Sequence, residues 1–187
     1  MKRGYAEITP GVSAQNDVSI VSLQSRSSPG NVTANLAHSA TQIRKLLRKL
    51  EKKPDIVLLP ELSSTGYSHA VLQNKEKYAE DPLTGPSFQF YSKLSLECGC
   101  CIAYGILCRR RKKVTISHVV VEPGRNRPVA KYDKIHLCSV GDCSEVAYGI
   151  TPGELNQRIS TTFEVKGVRV GLCICYALRF PELWRLW

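Results

Sequence analysis

Cys175 stands where a run of alternating apolar residues meets a proline, and that placement is the first sign of chemistry in this chain of 187 residues. Val168, Val170, Leu172 and Ile174 recur at every second position, with Gly171 and Cys173 between them, the pattern of a short buried strand. Pro181 and Glu182 then suit the first turn of a helix. A fixed φ and a missing N–H cost nothing there, and the carboxylate meets the positive helix end. A strand, a sharp turn and a helix lift the intervening side chain out of the sheet, a position in which nucleophiles are displayed. A lone cysteine in a strand is more often an ordinary small buried hydrophobe than a nucleophile, so a nucleophile needs partners elsewhere. Two other residues sit in comparable positions. Glu61 follows the apolar run Val57-Leu58-Leu59-Pro60 in a loop that contains Gly66, and Lys134 follows the extended segment from Val129 to Tyr132.

Three blocks carry these residues in order: Leu59-Pro60-Glu61-Leu62, Tyr132-Asp133-Lys134-Ile135-His136-Leu137, and Cys175-Tyr176-Ala177-Leu178-Arg179-Phe180-Pro181-Glu182. Together they resemble the carbon-nitrogen hydrolase (nitrilase) superfamily, whose corresponding blocks read L-P-E-L, Y-x-K-x-H-L and C-Y-D-x-R-F-P-E. The resemblance implies Glu61 as general base, Lys134 as oxyanion stabiliser and Cys175 as nucleophile, with the Tyr176 backbone N–H assisting at the oxyanion. It implies an amidase-like hydrolysis of non-peptide carbon-nitrogen bonds through a thioester, with a small amide or nitrile as substrate; no cofactor and no metal are expected. A second glutamate often precedes a Pro-Gly turn in the family. Glu145, ahead of Thr151-Pro152-Gly153-Glu154, is the candidate here, and His136 is read as a supporting residue. The sequence departs from the family at Ala177, where an aspartate is usual, and altered loop geometry rather than lost chemistry is the expected result.

Positioning three loops requires a sheet with helical crossovers. Val18 to Gln24 and Asp55 to Leu59 read as strands. Between them Val32, Leu36, Ala40, Ile43, Leu47 and Leu50 recur three or four apart, one stripe of a helix in a β-α-β unit. Residues 68–86 read as a polar surface connection. A second helix follows with Phe88, Tyr91, Leu94 and Leu96 as its apolar face and Gly99 as a left-handed cap. Cys100 to Cys108 and Val114 to Glu122 read as strands joined by a basic turn, and Thr161 to Val165 with Val168 to Ile174 as a last hairpin. The fold class implied is α/β, the four-layer α-β-β-α sandwich of the nitrilase type with its C-terminal part missing. Residues 1–16 are read as an irregular leader and 17–187 as the incomplete hydrolase domain, because Leu183, Trp184, Leu186 and Trp187 end the chain on apolar surface.

Composition narrows the alternatives. A hydrophobic content of 43% suits a globular domain with a real core. No stretch approaches the roughly 20 apolar residues of a membrane span, and a cytoplasmic location with neither signal peptide nor membrane anchor is expected. The net charge of +10 is concentrated in Arg109–Lys113 and Arg44–Lys53, a hairpin tip and the outer face of a helix, which places nucleic-acid binding behind the enzyme. Eight cysteines lack paired zinc-finger spacing and are expected as reduced thiols. The family resemblance further implies a homo-oligomer, a homodimer in its usual form. The alternative function is a catalytically inactive, truncated member acting as an interaction module.

Overall fold

The computed structural model describes residues 17–140, 144–155 and 160–186, so the leader expected at 1–16 lies outside it. Strand β1 (Ile20–Ser22), helix α1 (Val32–Leu47) and strand β2 (Ile56–Leu58) form the β-α-β unit, with β1 and β2 parallel from Ile20↔Ile56 to Ser22↔Leu58. The Asn31 side chain caps α1 by accepting from the Ala34 N–H at 3.1 Å. Leu36, Ala40 and Ile43 are buried, whereas Leu50 lies beyond the helix end and is exposed.

Residues 68–86 depart from the expected surface connection. They carry two short helices, α2 (His69–Gln73) and α3 (Lys75–Tyr78). Val71 and Leu72, both 1% exposed, anchor α2 in the core, and two adjacent apolar residues in a polar stretch are too weak a pattern to reveal it. Helix α4 (Pro86–Cys98) begins on its proline and ends at Gly99, whose φ of 62° is the left-handed cap. Its buried stripe runs through Phe88, Tyr91, Leu94, Ser95 and Cys98. The period of 3.6 residues leaves Leu96 in solvent, contrary to the expected apolar face.

Strands β3 (Cys101–Arg110) and β4 (Lys113–Val121) form a long antiparallel hairpin turning at Arg111 and Lys112, and β5 (Ala130–Asp133) pairs with β4. The sheet order is β1-β2-β3-β4-β5, with the first three strands parallel. Helices α1 and α4 cover one face, where Ile43, Tyr91 and Leu94 meet Val57, Ile102, Tyr104 and Val119. On the other face Ile56, Ala103, Ile116, Val120 and Tyr132 share a core with Phe163, Leu172, Ile174 and Leu183. This second layer is the hairpin of β6 (Thr162–Val165) and β7 (Val168–Gly171). Strand β7 is shorter than its apolar run and covered on one side only: Val168 and Val170 are half-buried while Arg169 and Gly171 are exposed. Leu172 and Ile174 continue into the core, followed by a 3-10 helix (Cys175–Arg179) and the single turn α5 (Pro181–Trp184).

Candidate active site

The Glu61 loop leaves the carboxyl end of β2 and folds back as a tight turn. Thr65 and Gly66 donate their N–H groups to the Leu62 carbonyl at 3.1 and 2.7 Å, and Leu62 itself holds φ at 52°. Two anchors fix this turn. The buried Asn35 amide of α1 donates to the Ser64 carbonyl at 3.0 Å, and the Ser63 hydroxyl accepts from the Gly105 N–H at 3.0 Å. A Cβ on Gly105 would stand 2.3 Å from the Leu62 nitrogen, so β3 approaches the loop as closely as only glycine permits.

Lys134 leaves β5 with its N–H on the Ile116 carbonyl and its own carbonyl accepting from Gly153, both at 2.8 Å. Gly153 in turn lies where a Cβ would meet the Asp133 carbonyl oxygen at 2.2 Å, so the Pro152-Gly153 turn packs directly against the lysine segment. The Lys134 ammonium is fully buried and donates to Glu61 Oε1 at 2.8 Å and Glu145 Oε1 at 2.7 Å. Glu145 is held from both sides: Oε1 also accepts from the Tyr67 hydroxyl at 2.7 Å, and Oε2 accepts from the Cys138 N–H at 2.8 Å.

Cys175 opens the 3-10 helix with φ at 46°, a left-handed backbone that carries a cost for any residue with a Cβ. Its exposed thiol lies beside the Glu61 carboxylate and the Tyr176 backbone N–H. His136 stacks on Phe180 with ring centroids 3.6 Å apart and planes 8° from parallel, joining the lysine loop to the nucleophile turn. Ala177 is fully buried in that turn, its N–H on the Ile174 carbonyl at 3.0 Å. Glu61, Lys134, Glu145 and Cys175 thus come together from four separate loops.

Burial raises the pKa of Glu61, and the Lys134 charge opposes that rise without cancelling it. Burial works against the charge of Lys134 as well, but there the two carboxylates outweigh it and its pKa goes up. The Cys175 thiol is raised by burial and then by the Glu61 charge, so it rests protonated at neutral pH. A protonated thiol beside a carboxylate of raised proton affinity is an arrangement suited to general-base activation.

A cavity of about 380 Å³ opens on this cluster and is lined by Glu61, His118, Cys173, Cys175 and the ends of β1 and β2. A larger cavity of about 590 Å³ lies along Arg110–Lys113 and Thr151–Glu154 and contains none of the four residues. Two residues of the site went unassigned in the sequence. Tyr67 closes the Glu61 block without any spacing that points to Glu145, and His118 is a single polar residue inside an apolar strand. Seven described cysteines are free thiols, and Cys143 lies outside the described residues. No helix among the described residues is long and apolar enough to cross a membrane.

The family model for carbon-nitrogen hydrolases matches residues 18–187. The omega-amidase NIT3 of Saccharomyces cerevisiae is 30% identical over 176 residues, covering 89% of this chain and 57% of that protein. The deaminated glutathione amidase of Mus musculus is 34% identical over 114 residues, covering 55% of this chain and 34% of that protein. The crystal structure of Saccharomyces cerevisiae Nit3, a nitrilase superfamily member, superposes with a TM-score of 0.71 at 25% identity, over 90% of this chain and 59% of that one. A superfamily protein from Xanthomonas campestris superposes with a TM-score of 0.70 at 25% identity, over 89% of this chain and 56% of that one. The chain therefore has the α/β nitrilase fold and spans between about a third and three-fifths of the length of these relatives. On the family model, the folded relatives and the shared architecture, this chain belongs to the carbon-nitrogen hydrolase family.

Proposed function

We propose that Cys175, Glu61 and Lys134 form the catalytic centre of an amidase that cleaves small non-peptide amides through a thioester. The observation that supports this most strongly is the buried Lys134 ammonium, bonded to Glu61 and Glu145, behind a cavity that Glu61 and Cys175 line. Glu61 takes the thiol proton as the sulfur attacks the amide carbon, and the carbonyl electron pair moves onto oxygen. Lys134 and the Tyr176 N–H stabilise that oxyanion, a kind of interaction often worth about 3 kcal/mol per donor. Collapse breaks the carbon-nitrogen bond, and the leaving amine takes the proton from Glu61. Water then attacks the thioester with Glu61 as base, releasing the acid and restoring the thiol. Glu145 holds Lys134 in place throughout.

The activities for which the omega-amidase and the deaminated glutathione amidase are named support an amide rather than a nitrile substrate. The free thiols support a reducing compartment such as the cytoplasm. Homo-oligomerisation is the corresponding proposal for assembly, which the mass in solution by light scattering tests. For the reaction, the test is intact-protein mass spectrometry of wild type and Cys175→Ala after exposure to an electrophilic thiol probe and a panel of small amides. A Cys175-dependent adduct with release of acid and ammonia is the expected result. Slow, uniform labelling of all thiols without acid would instead favour the inactive family member.

A further inference from the structure

The hairpin of β3 and β4 ends in four consecutive cations, Arg110, Arg111, Lys112 and Lys113, and all four line the cavity of about 590 Å³ that lies away from the catalytic cluster. Arg110 is half-buried and the other three are exposed. Arg110 and Lys113 are register partners on the last rung of the ladder. Like charges directly opposite each other on neighbouring strands, with Cβ atoms about 4.5–5.5 Å apart, destabilise a hairpin. Among the described residues no carboxylate stands within ion-pair distance of any of the four. Arg109 is engaged elsewhere, its guanidinium donating to the Glu76 carbonyl.

The cavity behind these cations is built from fixed parts. Lys113 and Thr115 both line it, so it lies on the face of β4 that these two residues share. Thr115 is buried, and its hydroxyl is tied to the Ser117 hydroxyl at 2.9 Å and to the Asp133 carboxylate at 3.3 Å. The opposite wall is the Thr151–Glu154 segment. Thr151 donates its N–H to the Val114 carbonyl and Gly153 donates to the Lys134 carbonyl, both at 2.8 Å, so the sheet holds this wall as well.

We propose that this cavity is a binding site for a small ligand carrying a diphosphate group. Its lining sets four cations against one carboxylate, that of Glu154, a balance that draws in a multiply charged anion. Guanidinium groups offer paired N–H donors that match phosphate oxygens, and the lysines add point charges. Two linked phosphoryl groups reach cations on both strands at once and relieve the Arg110–Lys113 repulsion, which a lone phosphate does less well. The volume is that of a small-molecule site, and the cations are gathered at one hairpin end rather than strung along a groove as a duplex backbone requires. The site shares no lining residue with the cavity of Glu61 and Cys175, so it stands independently of the catalytic reading.

Isothermal titration calorimetry of the full chain with sodium pyrophosphate at physiological ionic strength tests this, with inorganic phosphate and a short DNA duplex titrated beside it. Pyrophosphate is expected to bind saturably at one site per chain, at least about tenfold more tightly than inorganic phosphate. Two variants remove a cation without weakening the fold. Lys113→Gln takes away the charge opposite Arg110 and is expected to raise Tm in the absence of ligand. Arg111→Gly places glycine where φ is 57°, a backbone that suits it. Each is expected to weaken pyrophosphate binding by roughly tenfold or more, so the loss cannot come from unfolding. Lys45→Gln, on the exposed side of α1, is expected to leave the affinity unchanged, and so is Cys175→Ala. Absence of saturable binding, equal affinity for phosphate and pyrophosphate, or full affinity in both hairpin variants overturns the proposal. Loss of binding in Cys175→Ala would place the anion in the catalytic cavity and overturn it too. A duplex held more tightly than pyrophosphate would make the hairpin end a nucleic-acid surface instead.

Discussion

Lys134 Nζ lies 2.7 Å from Glu145 Oε1, and neither side chain has any exposed surface. The carboxylate uses both oxygens, one for Lys134 and Tyr67 and the other for the Cys138 N–H. A glutamine cannot replace it. Its amide nitrogen must face either the ammonium and the phenol or the backbone N–H, and in each orientation a donor meets a donor. Glu145→Gln is therefore expected to lose about 1–3 kcal/mol of stability, and Tyr67→Phe only about 0.5–1.5 kcal/mol. Urea denaturation of both variants checks the order. A Glu145→Gln loss no larger than that of Tyr67→Phe would mean that the buried pair does not anchor the lysine.

Glu61 links stability to pH in the direction opposite to an ordinary ion-paired carboxylate. Its pKa is raised by burial, so between the unfolded and folded values the native state holds a proton that the unfolded chain has released. This contribution to stability is present in full below about pH 4, the ordinary carboxylate range, and is lost as pH rises through the folded value. Glu61→Gln imitates the protonated acid. It is expected to match wild type in acid and to melt higher near neutral pH, while lacking the base. Loss of the base should cost roughly 10²–10⁴ in kcat. Melting temperatures of both proteins across the pH range are the measurement, and a variant less stable than wild type at neutral pH would contradict the burial-dominated shift.

Gly105 separates loop position from general stability. A Cβ there would meet the Leu62 nitrogen at 2.3 Å, the Pro60 oxygen at 2.9 Å and the Glu61 carbonyl carbon at 3.0 Å, all of them backbone atoms. Gly105→Ala must displace the Glu61 loop. It is expected to cost about 1–3 kcal/mol, with turnover falling on the order of a hundredfold for a shift near 1 Å. Gly124 is the control: its φ is 76° and a Cβ would meet nothing within 4 Å. Gly124→Ala should lose about 1–2 kcal/mol from backbone strain alone and keep its turnover. Equal activity in the two variants would refute the loop displacement.

The sheet and the three chemical blocks were legible because each is a local pattern. Apolar runs marked β2, β3 and β4, while Glu61 after an apolar run and Lys134 after an extended segment stood in blocks that resemble those of the family. What was not legible depends on distance in the chain. Tyr67 and Glu145 are 78 residues apart, and only the packing of two loops joins them. His118 is ordinary in sequence and becomes notable only because β4 lies between β3 and β5, under the Glu61 loop. The short β7 has a similar cause, since its apolar run leaves the ladder after the Leu172 N–H reaches the Thr161 carbonyl at 3.1 Å and then enters the core. Leu96 illustrates the limit of periodicity: one residue off the buried stripe, it has the right type and the wrong phase.

The φ of 46° at Cys175 makes a prediction about the nucleophile turn that is independent of substrate. A residue with a Cβ held in the left-handed region carries about 1–2 kcal/mol of strain, which glycine does not. Cys175→Ala and Cys175→Gly both remove the sulfur and differ only in that Cβ. Because the Cys175 side chain is exposed, little buried surface separates the two variants. Cys175→Gly is therefore expected to be the more stable, by roughly 1 kcal/mol, equivalent to about 2–4 °C in Tm for a chain of this size. Differential scanning calorimetry of the pair measures the difference directly. A glycine variant no more stable than the alanine variant would mean that the turn relaxes in solution. A more stable glycine variant would mean that the surrounding fold forces the thiol into its exposed position, with the strain held by the same core that buries Ile174 and Ala177 on either side of Cys175.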